Sequence, residues 1–299
     1  MAHTHTPVAT YEIQAGGATL QIDFEAGEFD LPREEFAARI QKAALAVAGY
    51  YGRFPVARAR ILIIPVAGED GILQGTTWGS RDGWPGFTRL RIGQHTTRAE
   101  LESDWVTTHE LVHMALASLP DDQHWLEEGI ATYVEPIARA RQGELTAEKV
   151  WADMVAGMPQ GEPGAHDRGL NRTHTWGRTY WGGALFCLVA DVEIRRQTKN
   201  AKGLQDALSA IVAAGGTIDT NWPVERLLRI GDEATGTRVL QEMYAAWSQR
   251  PVTVDLDQLW SQLGIDHSRG YLRLNSVAPL STIRVRLTSP QELPHRAPV

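Results

Sequence analysis

The first third of the chain carries short runs of alternating or continuous apolar positions, and the rest repeats its apolar positions at helical spacing. "TYEIQAGGATLQIDF" predicts two alternating strands joined across Gly16 and Gly17, a hairpin signal. "LPREEFAARIQKAALAVAGYYG" opens near Pro32, sets Phe36, Ile40, Ala44 and Val47 at helical spacing and closes on Gly52, which predicts a helix. "ARILIIPV" is a continuous Ile-rich run, the pattern of a strand buried on both faces, with Pro65 as its stop. "TRLRIG", residues 88 to 93, alternates and predicts a strand with a polar face. Between these runs, "GEDGILQGTTWGSRDGWPG" carries glycines and Pro85 that predict an irregular loop at a cleft rim. From residue 97 onward the pattern is mostly helical, clearest in "LESDWVTTHELVHMALAS", "WLEEGIATYVEPIARARQ", "YWGGALFCLVADVEIRRQ", "KGLQDALSAIVAAG", "GTRVLQEMYAAWSQ" and "LDQLWSQLG". Strands first and helices after make an α+β protein. The division is an N-terminal part over 1–120, a helical part over 121–285 and a proline-rich, flexible tail over 286–299; no internal repeat appears.

Composition narrows the partners. With 299 residues, 43% of them hydrophobic and 22% charged, the chain can bury a substantial core. A net charge of -7 without clustered Lys and Arg excludes nucleic acid as a partner. Cys187 is the only cysteine, so neither an intramolecular disulfide nor a Cys-rich zinc site can form; inside "GGALFCLVADV" it reads as a core residue. No apolar run reaches the roughly eighteen residues of a transmembrane helix. The start, "MAHTHTPVAT", has neither a basic end nor an apolar stretch of secretory length, and His3 and His5 read as tail residues. A leader replaced by Met1 would leave the same text, so the compartment, periplasm and secretion included, stays open.

Candidate chemistry sits in "TTHELVHMAL". Thr97 and Glu100 form a capping-box pattern, which predicts one helix running on to Pro120 with the motif at its middle. Four positions apart, His109 and His113 lie about 40° apart on one helical face, so both rings can point at a single atom. They continue an apolar stripe of Leu101, Trp105 and Leu116, where each ring nitrogen needs a partner. One reading is a pair of core histidines bonded to carbonyls or carboxylates; the other is a metal pair. A catalytic zinc requires a third protein ligand and keeps its fourth position for water. Downstream, "DDQHWLEEGIATYVEP" predicts a second helix capped by Asp121 or Asp122 and folded back antiparallel. About five residues on each arm, at about 1.5 Å per residue, would bring Glu128 level with the histidines. Glu127 would point elsewhere, and His124 competes with Glu128 as ligand or serves as its support. The longer HExxHxxGxxH pattern fails because Leu116 and Leu119 stand where it needs Gly and His.

"HELVH" followed by the Glu of "WLEEGIATYVE" resembles the gluzincins, the thermolysin-like clan that includes aminopeptidase N, leukotriene hydrolase and the glycyl aminopeptidases. "TYWGGALFCLVADVEIR" is similar to the segment that carries their catalytic tyrosine, which would be Tyr180. The resemblance covers roughly residues 60 to 200. It implies a thermolysin-like zincin domain with a mixed sheet packed on the HExxH helix, one Zn2+ per chain and peptidase activity. His109, His113 and Glu128 would be its metal ligands, Glu110 its general base and Tyr180 its transition-state donor. The sequence departs from the family in three places. The spacer before Glu128 is shorter than in aminopeptidase N relatives, Gly182 stands where they have lysine, and "GTTWGSRDG" replaces their Gly-x-Met-Glu-Asn strand.

In such a site zinc lowers the pKa of water toward neutrality and polarises the scissile carbonyl. Glu110 can take the proton of that water and return it to the leaving amine. Tyr180 either hydrogen-bonds the developing oxyanion or is an interhelical tyrosine with its hydroxyl at the rim. "TRLRIG" is a candidate edge strand for an extended peptide. Glu135 is a candidate partner for a ligand imidazole. His166, His174 and Arg178 read as surface residues, and Trp176, Trp181, Trp222, Trp247 and Trp260 as core. The expected function is a zinc metallopeptidase acting on peptide or protein substrates, endo- or aminopeptidase unresolved. The alternatives are an inactive peptide-binding protein on this scaffold and a zinc hydrolase of a non-peptide substrate.

Overall fold

Gly16 and Gly17 both take positive φ, 55° and 83°, and fold strand β1 (Ala9–Ala15) antiparallel onto β2 (Ala18–Phe24), the hairpin that the alternation predicts. This is a computed structural model, and it describes residues 6–267 and 271–290. His3, His5 and the tail beyond residue 290 lie outside the described residues. Helix α1 (Arg33–Tyr51) ends at Gly52 in the left-handed conformation that glycine adopts without strain, and it buries Phe36, Ile40, Ala44 and Val47. It carries the chain to β3 (Arg58–Val66), which lies parallel to β2.

The region expected to be a loop is instead a hairpin. Strand β4 (Ile72–Arg81) turns through Asp82 and Gly83, both at positive φ, into antiparallel β5 (Trp84–Gly93). The five strands run in the order β1-β2-β3-β5-β4, with β5 parallel to β3, so the sheet is mixed. "TRLRIG" is therefore interior, and β4 forms the edge on that side of the sheet, as β1 does on the other. Pro65 does not stop β3; it lies opposite Ile92, one residue before the strand ends, where a missing donor disturbs little of the ladder. Nor is β3 buried on both faces. Ala59, Ile61 and Ile63 are buried, whereas Arg60, Leu62 and Ile64 are half-buried.

The capping box at Thr97 forms, with Glu100 returning a bond to the Thr97 backbone at 2.8 Å. The helix it starts, α2 (Arg98–Ser103), is short. Asp104 interrupts it: its carboxylate accepts from the Val106 N–H at 2.8 Å and the Thr107 N–H at 3.2 Å, and so starts a new helix, α3 (Val106–Val112). A single helix to Pro120 would have left Asp104 without those donors. Because of this break, Trp105 is 54% exposed instead of continuing the buried stripe. A 3-10 turn, His113–Ala115, follows, and a second, Asp121–Gln123, leads into α4 (His124–Arg141), which has no side-chain cap.

The remainder is mostly helical: α5 (Ala147–Gly157), a π-helical turn Arg178–Gly182 running into α6 (Gly183–Gln197), α7 (Leu204–Ala213), α8 (Val224–Thr235), α9 (Val239–Trp247), α10 (Leu256–Leu263) and α11 (Ser281–Thr288), with a short antiparallel pair of strands, β6 (Ile265–Asp266) and β7 (Arg273–Leu274), between the last two. Helices α5, α8 and α11 are additions to the pattern-based reading, and α11 runs past residue 285. Burial of Trp125, Tyr133 and Phe186 helps lock α4 against α6, at roughly 1.5–3 kcal/mol per large apolar side chain. Cys187 is buried, and burial pushes its thiol pKa up. Trp247 and Trp260 are core residues, but Trp176 is 60% exposed. Arg178, expected at the surface, is buried with Nε 2.7 Å from Asp167 and donates to the Gly161 carbonyl. No helix among the described residues is long and apolar enough to cross a membrane.

Candidate metal centre

Helix α3 presents His109 near its end, and His113 opens the 3-10 turn that follows. From α4, Glu128 reaches across so that its Oε2 lies 3.1 Å from His109 Nε2 and 3.6 Å from His113 Nε2. One ligand atom from each of the three residues lies within 4.8 Å of the others. Tetrahedral bonds of about 2.0–2.1 Å place ligand atoms about 3.3 Å apart, so this triangle fits one zinc-sized cation. Two nitrogens and one carboxylate oxygen are also the donor set such an ion takes when a position is left for water. His109 and Glu128 are buried, which excludes competing solvent.

Burial pulls the His109 pKa below its ordinary value despite Glu128 beside it, which favours the neutral imidazole a metal needs. Burial is also the largest single influence on His113, but there the carboxylates of Glu128, Glu110 and Glu127 together outweigh it and the pKa rises. Glu128 is opposed by burial as well, yet the three histidines around it hold its carboxyl far below the usual range. His124 is the third: its Nδ1 lies 2.9 Å from Glu127 and its Nε2 3.2 Å from Glu128 Oε1, and these carboxylates push its pKa up to about 10. His124 therefore braces Glu128 from the side away from the ligand triangle. Glu127 points elsewhere, accepting from the Leu119 N–H at 2.9 Å.

Glu110, between the two histidines, projects toward β4. Thr77 Oγ1 lies 2.8 Å from Glu110 Oε2 and 2.9 Å from Thr88 Oγ1. If Thr88 donates to Thr77, Thr77 is free to donate to the carboxylate. The approach is close enough that a Cβ on Gly75 would stand 2.3 Å from Glu110 Cγ, so only glycine fits there. Thr77 and Gly75 were not among the residues singled out from sequence. Their signal was the Asp82-Gly83 dipeptide, which marks a two-residue hairpin and so a strand before it.

Tyr180, in the π-helical turn, lies beside the triangle with its ring stacked 6.2 Å from that of His109, and it lines the same cleft as Glu110 and Glu128. Burial and the two carboxylates push its pKa up to about 12. Glu135 does not show the predicted imidazole bond; its Oε1 accepts from Arg139 at 2.9 Å, inside a buried network in which Arg39 joins Asp104 and Glu144. That network ties α1, the α2–α3 break and α4 together behind the site. A cleft of about 800 Å³ runs from β4 across these residues.

No protein-family model matches the chain, and no curated protein does. Solved structures do. An aminopeptidase N family protein from Idiomarina loihiensis is similar at 13% identity and a TM-score of 0.64, over 86% of this chain and 49% of that one. The M1 zinc metallopeptidase from Deinococcus radiodurans is similar at 19% identity and a TM-score of 0.53, over 83% of this chain and 52% of that one. A variant of it with the substrate Tyr-Ser-Ala bound has a TM-score of 0.53 at 18% identity, over 82% and 52%. The chain thus has the α+β fold of the matched part of M1 zinc metallopeptidases and spans about half the length of these structures.

Proposed function

We propose that the protein is a zinc-dependent metallopeptidase. The observation that carries this reading is the convergence of His109, His113 and Glu128 at zinc spacing beside a carboxylate, Glu110, that is oriented by Thr77. The fold shared with zinc metallopeptidases and the peptide bound in one of them support it. His109, His113 and Glu128 hold the ion, one per chain. When bound, zinc supplies a water of near-neutral pKa and a Lewis acid for the scissile carbonyl.

Glu110 accepts the proton of the attacking water and delivers it to the leaving amine. Tyr180 donates its hydroxyl hydrogen to the carbonyl oxygen as negative charge develops there. Thr77 keeps the Glu110 carboxylate turned into the cleft, and His124 keeps Glu128 from swinging out. A held base beside the ligand triangle favours turnover over an inactive binding scaffold. Glu110→Gln is expected to bind one zinc per chain, by metal analysis, while peptide hydrolysis falls about 10²–10⁴-fold. Wild-type turnover in that variant would remove the assigned base.

A further inference from the structure

The turn that carries Tyr180 differs from the helix it opens. Arg178–Gly182 is a π-helical turn, and the chain continues from Gly183 as the α-helix α6. A π-turn is rare because the α-form is the better continuation, so something outside the turn holds it here. Three close backbone approaches do part of this. A Cβ on Gly161 would stand 2.4 Å from the Trp181 carbonyl carbon, one on Gly177 2.4 Å from the Gln160 carbonyl oxygen and one on Gly183 2.1 Å from the Trp125 carbonyl oxygen. The turn is thus wedged between the 3-10 turn Met158–Gly161 and α4.

Wedging fixes where the turn lies, and Arg178 fixes how it is rotated. This side chain is 3% exposed, and its guanidinium is gripped at two points: Nε lies 2.7 Å from Asp167 Oδ2, and Nη1 donates to the Gly161 carbonyl. Asp167 is held in its turn, since its Oδ1 accepts from the Gly169 N–H at 2.8 Å. The same loop is bonded to the end of α9: the Leu170 N–H donates to the Trp247 carbonyl at 2.9 Å, and the Asn171 N–H to the Ser248 carbonyl at 3.1 Å. The Asn171 side chain accepts from the Trp125 indole at 2.8 Å, which closes the loop onto α4. A buried ion pair contributes little net stability, because desolvation offsets the attraction. What it supplies is direction, since a planar guanidinium held by partners on two segments keeps one orientation.

At about 100° per residue, side chains two positions apart in a helical turn point to roughly opposite sides. With Arg178 clamped at the back, Tyr180 faces the front, where its ring lies 6.2 Å from that of His109. There it borders both the cleft along β4 and a chamber next to His109; Arg178 and Asp167 line neither space.

We propose that the buried Asp167–Arg178 pair is a positioning device for the site: it sets the rotation of the π-helical turn and so aims the Tyr180 hydroxyl at the carbonyl oxygen of the substrate. The inference rests on the metallopeptidase reading and adds to it two residues that act through Tyr180.

The test follows the zinc-loaded full chain and its variants through steady-state peptide hydrolysis, with zinc content and thermal unfolding measured on each. Arg178→Lys keeps the charge and removes the fork. It should unfold cooperatively and hold zinc as wild type does, with KM within about threefold and kcat at least about tenfold lower. In a Tyr180→Phe background the same substitution is expected to lower kcat by less than about twofold further, because the hydroxyl it aims is gone. Asp167→Asn keeps the shape and the acceptor for Gly169; it should repeat this pattern from the other end of the pair, and it decides the matter if Arg178→Lys does not fold. A readout apart from turnover is the Ki of a phosphinic peptide, whose tetrahedral oxyanion stands in for the transition state. That Ki should rise at least about tenfold in Arg178→Lys and in Tyr180→Phe alike. On a Glu110→Gln background, Arg178→Lys should move the Kd of a fluorescent substrate peptide less than about threefold. Equal losses of kcat with and without the Tyr180 hydroxyl would make the pair purely structural and overturn the inference. Wild-type kcat in Arg178→Lys and Asp167→Asn, or in Tyr180→Phe alone, would overturn it as well. All of these leave the peptidase reading standing, whereas a wild-type chain that cleaves no peptide would bring down both.

Discussion

Thr77 shows how a single hydroxyl can hold a carboxylate thirty-three positions away in the chain. It bonds the carboxylate of Glu110 without being near enough in sequence to belong to the motif, and its hydroxyl lies 2.9 Å from that of Thr88 on the neighbouring strand. Thr77→Val keeps the shape and removes the bond. Zinc content and KM should stay close to wild type while kcat falls about 10–100-fold, the usual cost of removing a supporting contact at a metal site; steady-state kinetics checks it. Glu135 gives a second prediction at this scale, on stability. Burial lifts its pKa from 4.5 to about 7 although Arg139 lies 2.9 Å away. With the folded value above the unfolded one, the associated stability is complete below about pH 4.5 and is lost as pH rises through about 7. Glu135→Gln removes that titration. Urea unfolding at pH 5 and pH 8 should show the difference between variant and wild type moving in the variant's favour by up to about 3 kcal/mol.

At the scale of elements, the site depends on how closely two helices cross. A Cβ on Gly129 would stand 2.3 Å from the Gly183 Cα, so the backbones of α4 and α6 touch next to Glu128 and close to Tyr180. Gly129→Ala is expected to cost about 1–3 kcal/mol through overpacking and to weaken zinc binding as Glu128 is displaced; denaturant unfolding and a competitive chelator titration measure the two effects. The elements also show where local pattern suffices. The β1–β2 hairpin and α1 follow from alternation, Gly-Gly and a Pro-to-Gly frame, all short-range signals. The division of the expected long helix at Asp104 follows from the same capping chemistry recognised at Thr97, but an apolar stripe running through it hid the second cap. Strand β4 was hidden by its glycines, which are there because Glu110 at Gly75 and the Ile218 carbonyl at Gly79 come too close for any side chain.

Over the whole molecule, a bound cation would join α3 to α4 and so couple metal affinity to global stability. Zinc at about a hundred times its Kd should add about 2.7 kcal/mol, or roughly 4 °C in Tm for a chain of this size, reversed by chelation. Glu110→Gln should show the same shift and His113→Ala almost none; thermal unfolding with and without zinc checks both. That strands come first and helices after was readable because hydrophobic period is a property of neighbours along the chain, whereas the mixed character of the sheet was implied only by the family resemblance. The pairing of His109 and His113 was readable too, since helical geometry alone places residues four apart on one face. Glu128 was reached by counting residues along two straight arms. The chain instead takes two 3-10 turns and a bridge from Ser118 to Asn221, and still delivers the carboxylate to 3.1 Å from His109.

By itself, then, the amino-acid order determined the strand and helix periods, the absence of a cysteine cluster and the two imidazoles on one turn. Tertiary structure alone decided that Thr77 meets Glu110, that β4 forms a sheet edge and that Trp105, Trp176 and Trp181 line a chamber next to His109. The reason is physical. Periodicity and capping act over a turn or two of chain, whereas these contacts join segments tens of residues apart, and their positions are set by the packing of a core that no local rule describes.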